Sequence, residues 1–243
     1  MTLSGCLIGS ARRSCTVAVA VAVVSLLGRP ASATTIYFQG WNTPGDTAGW
    51  VPDVANANVS VPAAGGNPGG YLDMTSGPTF QTVGGVANFA PVNGNYAAAG
   101  VDGVSFDLNE ISGVFTQAAF RVRYQNSGFN GWYHPVTYAP AGGWQSFSIS
   151  FDPTWSDAVA MANGWIADGP LLPGSQVDFA TTMSNVFNPE IRLDGIGFAL
   201  HAGLDNFALD ARVSTVPEPA SLLLVGTGVA LAKIRRRKRN TPS

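Results

Sequence analysis

The chain has 243 residues, of which 46% are hydrophobic, 10% aromatic and 12% charged, and that much apolar surface excludes wholesale disorder. Its net charge of −2 conceals a strong asymmetry: residues 34–215 hold fourteen acids, four arginines and no lysine, a net −10, between two basic ends. An acidic, lysine-free segment has no basic face with which to displace counterions, so a nucleic-acid partner is not expected.

The first 33 residues read as a secretory signal peptide. Arg12 and Arg13 precede the uncharged run Thr16–Leu27, and Ala31-Ser32-Ala33 puts small residues at positions −3 and −1 of a cut after Ala33. Twelve apolar residues fall short of the ~20 that span a bilayer. A Sec-type export machinery is the implied partner. Leu3-Ser4-Gly5-Cys6 resembles a lipoprotein cleavage box but precedes the apolar run, and the surroundings of Arg12-Arg13 do not fit twin-arginine export. Both cysteines, Cys6 and Cys15, lie in the signal. The exported part therefore has no disulfide, thiolate nucleophile or cysteine-ligated metal.

From Thr34 onward, short β-rich runs alternate with Gly, Pro, Asn and Asp. Expected strands are Thr34–Phe38, Asn58–Val61, Tyr71–Met74, Val86–Phe89, Val104–Leu108, Ala119–Gln125, Trp132–Tyr138, Trp144–Asp152, Glu190–Leu193, Ile196–Leu200 and Asp205–Arg212. Phe120-Arg121-Val122-Arg123-Tyr124 alternates apolar and basic, as a strand with one wet face does. Short helices are expected near Ser156–Asn163 and Asp178–Val186. The pattern predicts an all-β chain, a jelly-roll β-sandwich with one or two short helices.

Catalytic material is sparse. The two histidines, His134 and His201, show no zinc-binding spacing, and no Gly-x-Ser-x-Gly elbow occurs. Acids are the only abundant candidates, Asp152 with Asp157 and Asp102, Asp107 with Glu110. Asp152-Pro153 reads as a turn and Asp157 as a first-turn helix acid. The domain is read as non-catalytic. A hydrolase acting on polysaccharide is the alternative, which needs two carboxylates ~5–10 Å apart across a cleft. A purely structural matrix protein is a third reading. The run Phe129-Asn130-Gly131-Trp132-Tyr133-His134 follows Asn126-Ser127-Gly128 and so starts in a loop. Trp132 and Tyr133 are the candidate sugar-stacking residues.

Several landmarks taken together resemble laminin-B-like domains. They are Gly49-Trp50, the turn-rich Gly65-Gly66-Asn67-Pro68-Gly69-Gly70-Tyr71-Leu72, Val104-Ser105-Phe106-Asp107-Leu108, Gly143-Trp144, Met183-Ser184-Asn185-Val186, Ile191-Arg192-Leu193 and Leu204-Asp205-Asn206-Phe207. The resemblance implies a jelly roll akin to galactose-binding and carbohydrate-binding modules, with a polysaccharide partner. It also places Asp205 where related jelly rolls hold a structural calcium, which Asp73 or the region of the Gln39 carbonyl would complete with hard oxygen ligands. No other cofactor is expected.

The chain ends in three parts. Val216-Pro217-Glu218-Pro219 is followed by the uncharged apolar run Ala220–Ala232 and by the basic cluster Lys233, Arg235, Arg236, Arg237, Lys238 and Arg239. Thirteen helical residues reach ~20 Å against a hydrocarbon core of ~30 Å, so a span over residues 220–234 relies on Lys233 snorkelling. The basic stop stays cytoplasmic, which sends residues 34–215 outside. This order resembles the PEP-CTERM sorting signal of Gram-negative bacteria. The resemblance implies cleavage near Pro217-Glu218-Pro219 by a membrane-embedded exosortase, transient anchoring by residues 216–243, and a place in the cell envelope or extracellular matrix, in settings rich in exopolysaccharide.

Overall fold

The computed structural model describes residues 33–55, 57–124, 130–139, 142–169 and 176–212. Ala31, the triplet Pro217-Glu218-Pro219, the apolar run and the basic stop lie outside the described residues. Among the described residues no helix is long and apolar enough to cross a membrane.

The elements in chain order are β1 (Ala33–Gln39), β2 (Trp50–Pro52), β3 (Asn58–Ser60), β4 (Leu72–Thr75), β5 (Thr82–Ala87), α1 (Tyr96–Ala99), β6 (Val101–Tyr124), β7 (Gly131–Val136), β8 (Gln145–Ser150), α2 (Asp157–Ala162), β9 (Ile166–Asp168), α3 (Phe179–Ser184) and β10 (Val186–Arg212). Two of them dictate the architecture. The 24 residues of β6 at about 3.3 Å each would reach ~80 Å, whereas a compact unit of the length of Ala33–Val213 has a radius of gyration of only ~16 Å. β6 and β10 must therefore bend, and they bend together. Ile196 pairs with Val114 and His201 with Ser112, so residues 197–200 bulge opposite Gly113. Gly113 (φ +114°), Gly197 (+86°) and Ala199 (+65°) take up the left-handed backbone that this turn demands.

Each long strand is thereby divided between two layers. The front layer runs β2–β5–β10–β6–β7–β9 and uses residues 186–196 and 114–124 of the long strands. The back layer uses residues 201–212 and 101–112. There β8 flanks β6, β4 and β1 lie end to end along the outer edge of β10, and β3 pairs beyond β4. All these pairings are antiparallel. The result is the expected jelly-roll β-sandwich.

Aromatic rings fill the interior. Trp50 meets Phe207 of the back layer edge-on at 4.9 Å and Trp41 at 5.6 Å. Trp165 stands 6.1 Å from Phe120 and 5.1 Å from Phe179. Trp41, Trp50, Trp132 and Trp165 are all fully buried, and rings of this size dominate core energetics.

Three expectations shift. The runs expected at Val104–Leu108 and Ala119–Gln125 are two halves of β6, and the last three expected strands are portions of β10. β5 starts at Thr82 rather than Val86, because Gly84 and Gly85 belong inside the strand and not to a turn. A Cβ at Gly84 would lie 2.5 Å from the Ile191 carbonyl oxygen, and one at Gly85 2.8 Å from Leu72 Cδ2. β2, β9 and α1 are additional elements, too short to show a period. Asp152 accepts the Thr154 hydroxyl (2.7 Å) and N–H (2.9 Å), which hold its carboxyl below the usual range. Asp157 occupies the first turn of α2 and accepts the Phe179 N–H at 2.7 Å.

Candidate functional site

Strand alternation assembles a charged surface on the front layer. Ala118, Phe120 and Val122 of β6 point into the core, so Gln117, Ala119, Arg121 and Arg123 take the outer face. On β10, buried Ile191 and Leu193 turn Glu190, Arg192 and Asp194 to the same side. The register sets Glu190 opposite Arg121, Arg192 opposite Ala119 and Asp194 opposite Gln117. β7 brings Tyr133 against Arg121, and β9 ends at Asp168. Three of the four arginines in residues 34–215 thus meet on one face.

The charges are paired in detail. Arg121 donates Nη1 to Glu190 Oε1 at 2.8 Å and Nη2 to Asp168. Arg123 Nη2 lies 2.5 Å from Glu190 Oε2. Glu190 is fully buried, and two guanidinium groups supply the partners that a buried charge requires. Arg192 donates Nε to Asp194 Oδ1 at 2.9 Å and Nη2 to the Thr82 hydroxyl at 3.2 Å, while that hydroxyl donates to Asp194 Oδ1 at 2.7 Å. Asp53, just past β2, is the exception. It packs over Gly84, with that glycine's Cβ position 2.9 Å from its Cγ, and neither buried carboxyl oxygen has a hydrogen-bond donor. Burial first, and then the neighbouring Glu190 charge, push its pKa up to about 7, against the opposing pull of Arg192, Arg123 and Arg121.

A hollow of about 250 Å³ opens over Arg121, Tyr133, Asp168, Arg192 and Asp194. Gln117 lines it and also lines an adjoining groove of about 500 Å³, walled by Phe115, Pro135, Val136 and Tyr138 and closed by Glu110. Burial raises the Glu110 carboxyl. The two hollows follow β6 and β7, from a charged end to an aromatic end.

Of the two candidate stacking residues, Trp132 is corrected. It has 0% exposure, donates its indole N–H to the Val177 carbonyl at 3.0 Å and packs edge-on against Phe179 at 5.4 Å. Because β7 begins at Gly131, residues 132 and 133 face opposite ways. Trp132 belongs to the core, and Tyr133 lines the hollow.

The two candidate calcium ligands, Asp205 and Asp73, are engaged with protein partners. Asp205 is fully buried and accepts the Asn67 N–H (2.6 Å) and Asn206 N–H (2.8 Å), tying the 65–70 loop to β10. Asp73 contacts His201 Nε2 at 2.5 Å and Ser60 Oγ at 3.4 Å. The two carboxylates serve different partners. Among the described residues no group of three His, Cys, Asp or Glu is placed to hold a metal. The Gln39 backbone is committed to β1, in register with Phe207.

Residues 215–238 match the family model described as the PEP-CTERM protein-sorting motif. The chain carries a PEP-CTERM sorting signal. That PEP-CTERM match begins three residues beyond the end of β10 at Arg212. No curated protein matches the chain. Among solved structures, similarity extends to a family 11 carbohydrate-binding module from Clostridium thermocellum in complex with a β-1,3-1,4-mixed-linked tetrasaccharide (16% identity, 74% of this chain and 96% of that one, TM-score 0.47). It extends also to the CBM22-1 xylan-binding domain from Paenibacillus barcinonensis (14%, 76% and 98%, 0.47) and to an exo-β-agarase (12%, 74% and 25%, 0.49).

The PEP-CTERM signal was legible in the sequence, whereas the charged face of the domain was not. Asp53, Asp168 and the Glu190–Asp194 stretch are far apart in the chain, and only the pairing of β2 and β5 with β10 on one side, and of β9 and β7 with β6 on the other, brings them together. The one local sign was the alternation of charged and apolar residues over 120–124 and 190–194.

Proposed function

We propose that residues 34–215 form an exported, non-catalytic, glycan-binding sandwich whose ligand lies along β6 and β7 on the front layer. The observation that carries this reading is that Arg121 and Arg192 meet Tyr133 and Gln117 along one open hollow, with Arg123 beside them on the same face. Arginine donors alternating with carboxylate acceptors match the paired hydroxyls of a sugar, and Tyr133 offers a ring for its apolar face. Because each arginine is balanced by an acid, the face favours a neutral polysaccharide over a polyanion. The non-catalytic reading is supported by how the acids are engaged. Asp168 and Asp194 are both held by arginines, and Glu110, whose carboxyl burial raises, is the one acid among the residues lining its groove, whereas a glycosidase needs a pair of carboxyls facing one cleft.

The PEP-CTERM signal makes an exosortase the processing partner, with cleavage near Pro217-Glu218-Pro219 after Sec-type export and a cut following Ala33. A neutral-glycan array on residues 34–215, the compact unit with its own core, tests the binding reading. Tyr133→Ala is expected to weaken binding at least tenfold with little change in Tm. Unchanged binding in both Tyr133→Ala and Arg192→Ala refutes the site. Intact-mass measurement of the protein from its host tests the sorting reading, and a mature form running from Thr34 through Ser243 refutes it.

A further inference from the structure

Among the described residues, no second strand pairs along Thr34–Gln39 of β1, which pairs only with β10. Native sheets protect such edges with charge, proline or brevity, and the other margins of this fold do so. β2 is three residues long, closes at Pro52 and is followed by Asp53; β3 is three residues long; β9 is three residues long and ends in Asp168. β8 is longer but shows serine at alternate positions and is followed by Phe151-Asp152-Pro153. β1 has seven residues, Ala-Thr-Thr-Ile-Tyr-Phe-Gln, with no charge and no proline, and its one protective irregularity is the register shift at Ile36, between Thr35 and Tyr37. Its side chains are strongly strand-favouring, with Ile36 38% and Phe38 56% exposed.

We propose that β1 is a self-association edge that takes the β1 of a second copy of this chain, antiparallel about a twofold axis. Such an isologous contact makes one strand both donor and acceptor and sets the Ile36 and Phe38 of the two copies against each other. Charge selects this edge for a self-contact. Two copies each carrying −10 over residues 34–215 repel wherever their acids meet, and no charged residue occurs from Ala33 to Gly45. A bilayer is the poorer occupant, because the domain has no lysine to meet anionic headgroups. Copies held by their C-terminal signals in one membrane meet at raised local concentration.

The absence of cysteine after residue 15 gives a clean test on residues 34–215. Light scattering behind size exclusion is expected to show a concentration-dependent species of twice the monomer mass. Phe38→Lys and Ile36→Lys are expected to return it to monomer with Tm nearly unchanged. Independently of the lysine variants, Ile36→Cys is expected to form a disulfide-linked dimer under mild oxidation, while Met161→Cys, on α2 and more exposed (54% against 38%), does not. A wild-type protein monomeric at several hundred micromolar overturns the proposal. So does a dimer that persists in both lysine variants, or equal crosslinking at residues 36 and 161. So does vesicle binding by a domain that stays monomeric. None of these readings depends on a glycan, so the binding face and the β1 edge fail separately.

Discussion

Replacing Asp53 with Asn removes a charge that the fold holds at a disadvantage. The carboxyl lies over Gly84 with no donor to either oxygen, and its pKa rises from 3.8 to about 7. The folded state therefore holds the proton more tightly than the unfolded chain does. The stability this proton contributes is complete below pH ~4 and is lost as pH rises through ~7. A rise of about three pKa units corresponds to about 4 kcal/mol at most, and less where Glu190 shares the titration. Urea unfolding of residues 34–215 at intervals from pH 4 to pH 8 measures it. Subtracting the wild-type curve from that of Asp53→Asn cancels the other carboxylates. The variant is expected to gain about 2–4 kcal/mol relative to wild type between pH 4 and pH 8. Two profiles that remain parallel within about 0.5 kcal/mol would falsify the placement of Asp53 in a dry, like-charged site.

The remaining predictions concern the sequence-derived candidates and the front layer. Trp132→Ala should cost about 3–5 kcal/mol, as large-to-small changes in a packed core do, and appear as a lower urea midpoint; wild-type stability would return Trp132 to the surface. Asp205→Ala strands the N–H groups of Asn67 and Asn206, about 1–3 kcal/mol each, so hydrogen exchange should accelerate over residues 65–71. A chelator should leave the wild-type Tm unchanged, and a drop of several degrees would restore the calcium reading. Gly84→Ala meets a backbone oxygen rather than a flexible side chain and should cost at least ~1–3 kcal/mol; a neutral result would mean that β5 and β10 are spaced differently.

Sequence period told more about which residues are strand than about which face they take. Phe120–Tyr124 showed its wet face because charge marks the outside. Trp132 and Tyr133 are both aromatic, so alternation there carries no phase, and only pairing with β6 reveals which ring is buried. The bends of β6 and β10 resembled strand ends, since the Gly113 and Gly195–Gly197 that permit a corner also punctuate loops. Asp205 shows how a carboxylate can be recognised as special before its partners are known. Its position among landmarks suggested an ion, while the backbone N–H groups it satisfies come from Asn206 beside it and from Asn67, 138 residues away. The charge count of −10 was exact from composition, yet nothing in it located three arginines on one surface.

The register of the first strand against the last has a consequence for biogenesis. Thr34 pairs with Ala211 and Gln39 with Phe207, so the first strand to emerge on the far side has no neighbour until nearly the whole domain has followed it. β6 gains β7 over residues 118–123 and β8 over 103–108 sooner, but its other edge waits for β10. Contacts of such long sequence separation fold slowly, because a large loop must close before they form. β1 therefore waits unpaired in an extended, uncharged form while β3–β4, β2–β5, β6–β7 and β6–β8 can already pair. On the proposed export route, closure becomes possible only once Arg212 has crossed, a few residues before the sorting signal. Under the proposed sorting, completion of the sandwich and presentation of the signal would fall at nearly the same moment in the life of each molecule.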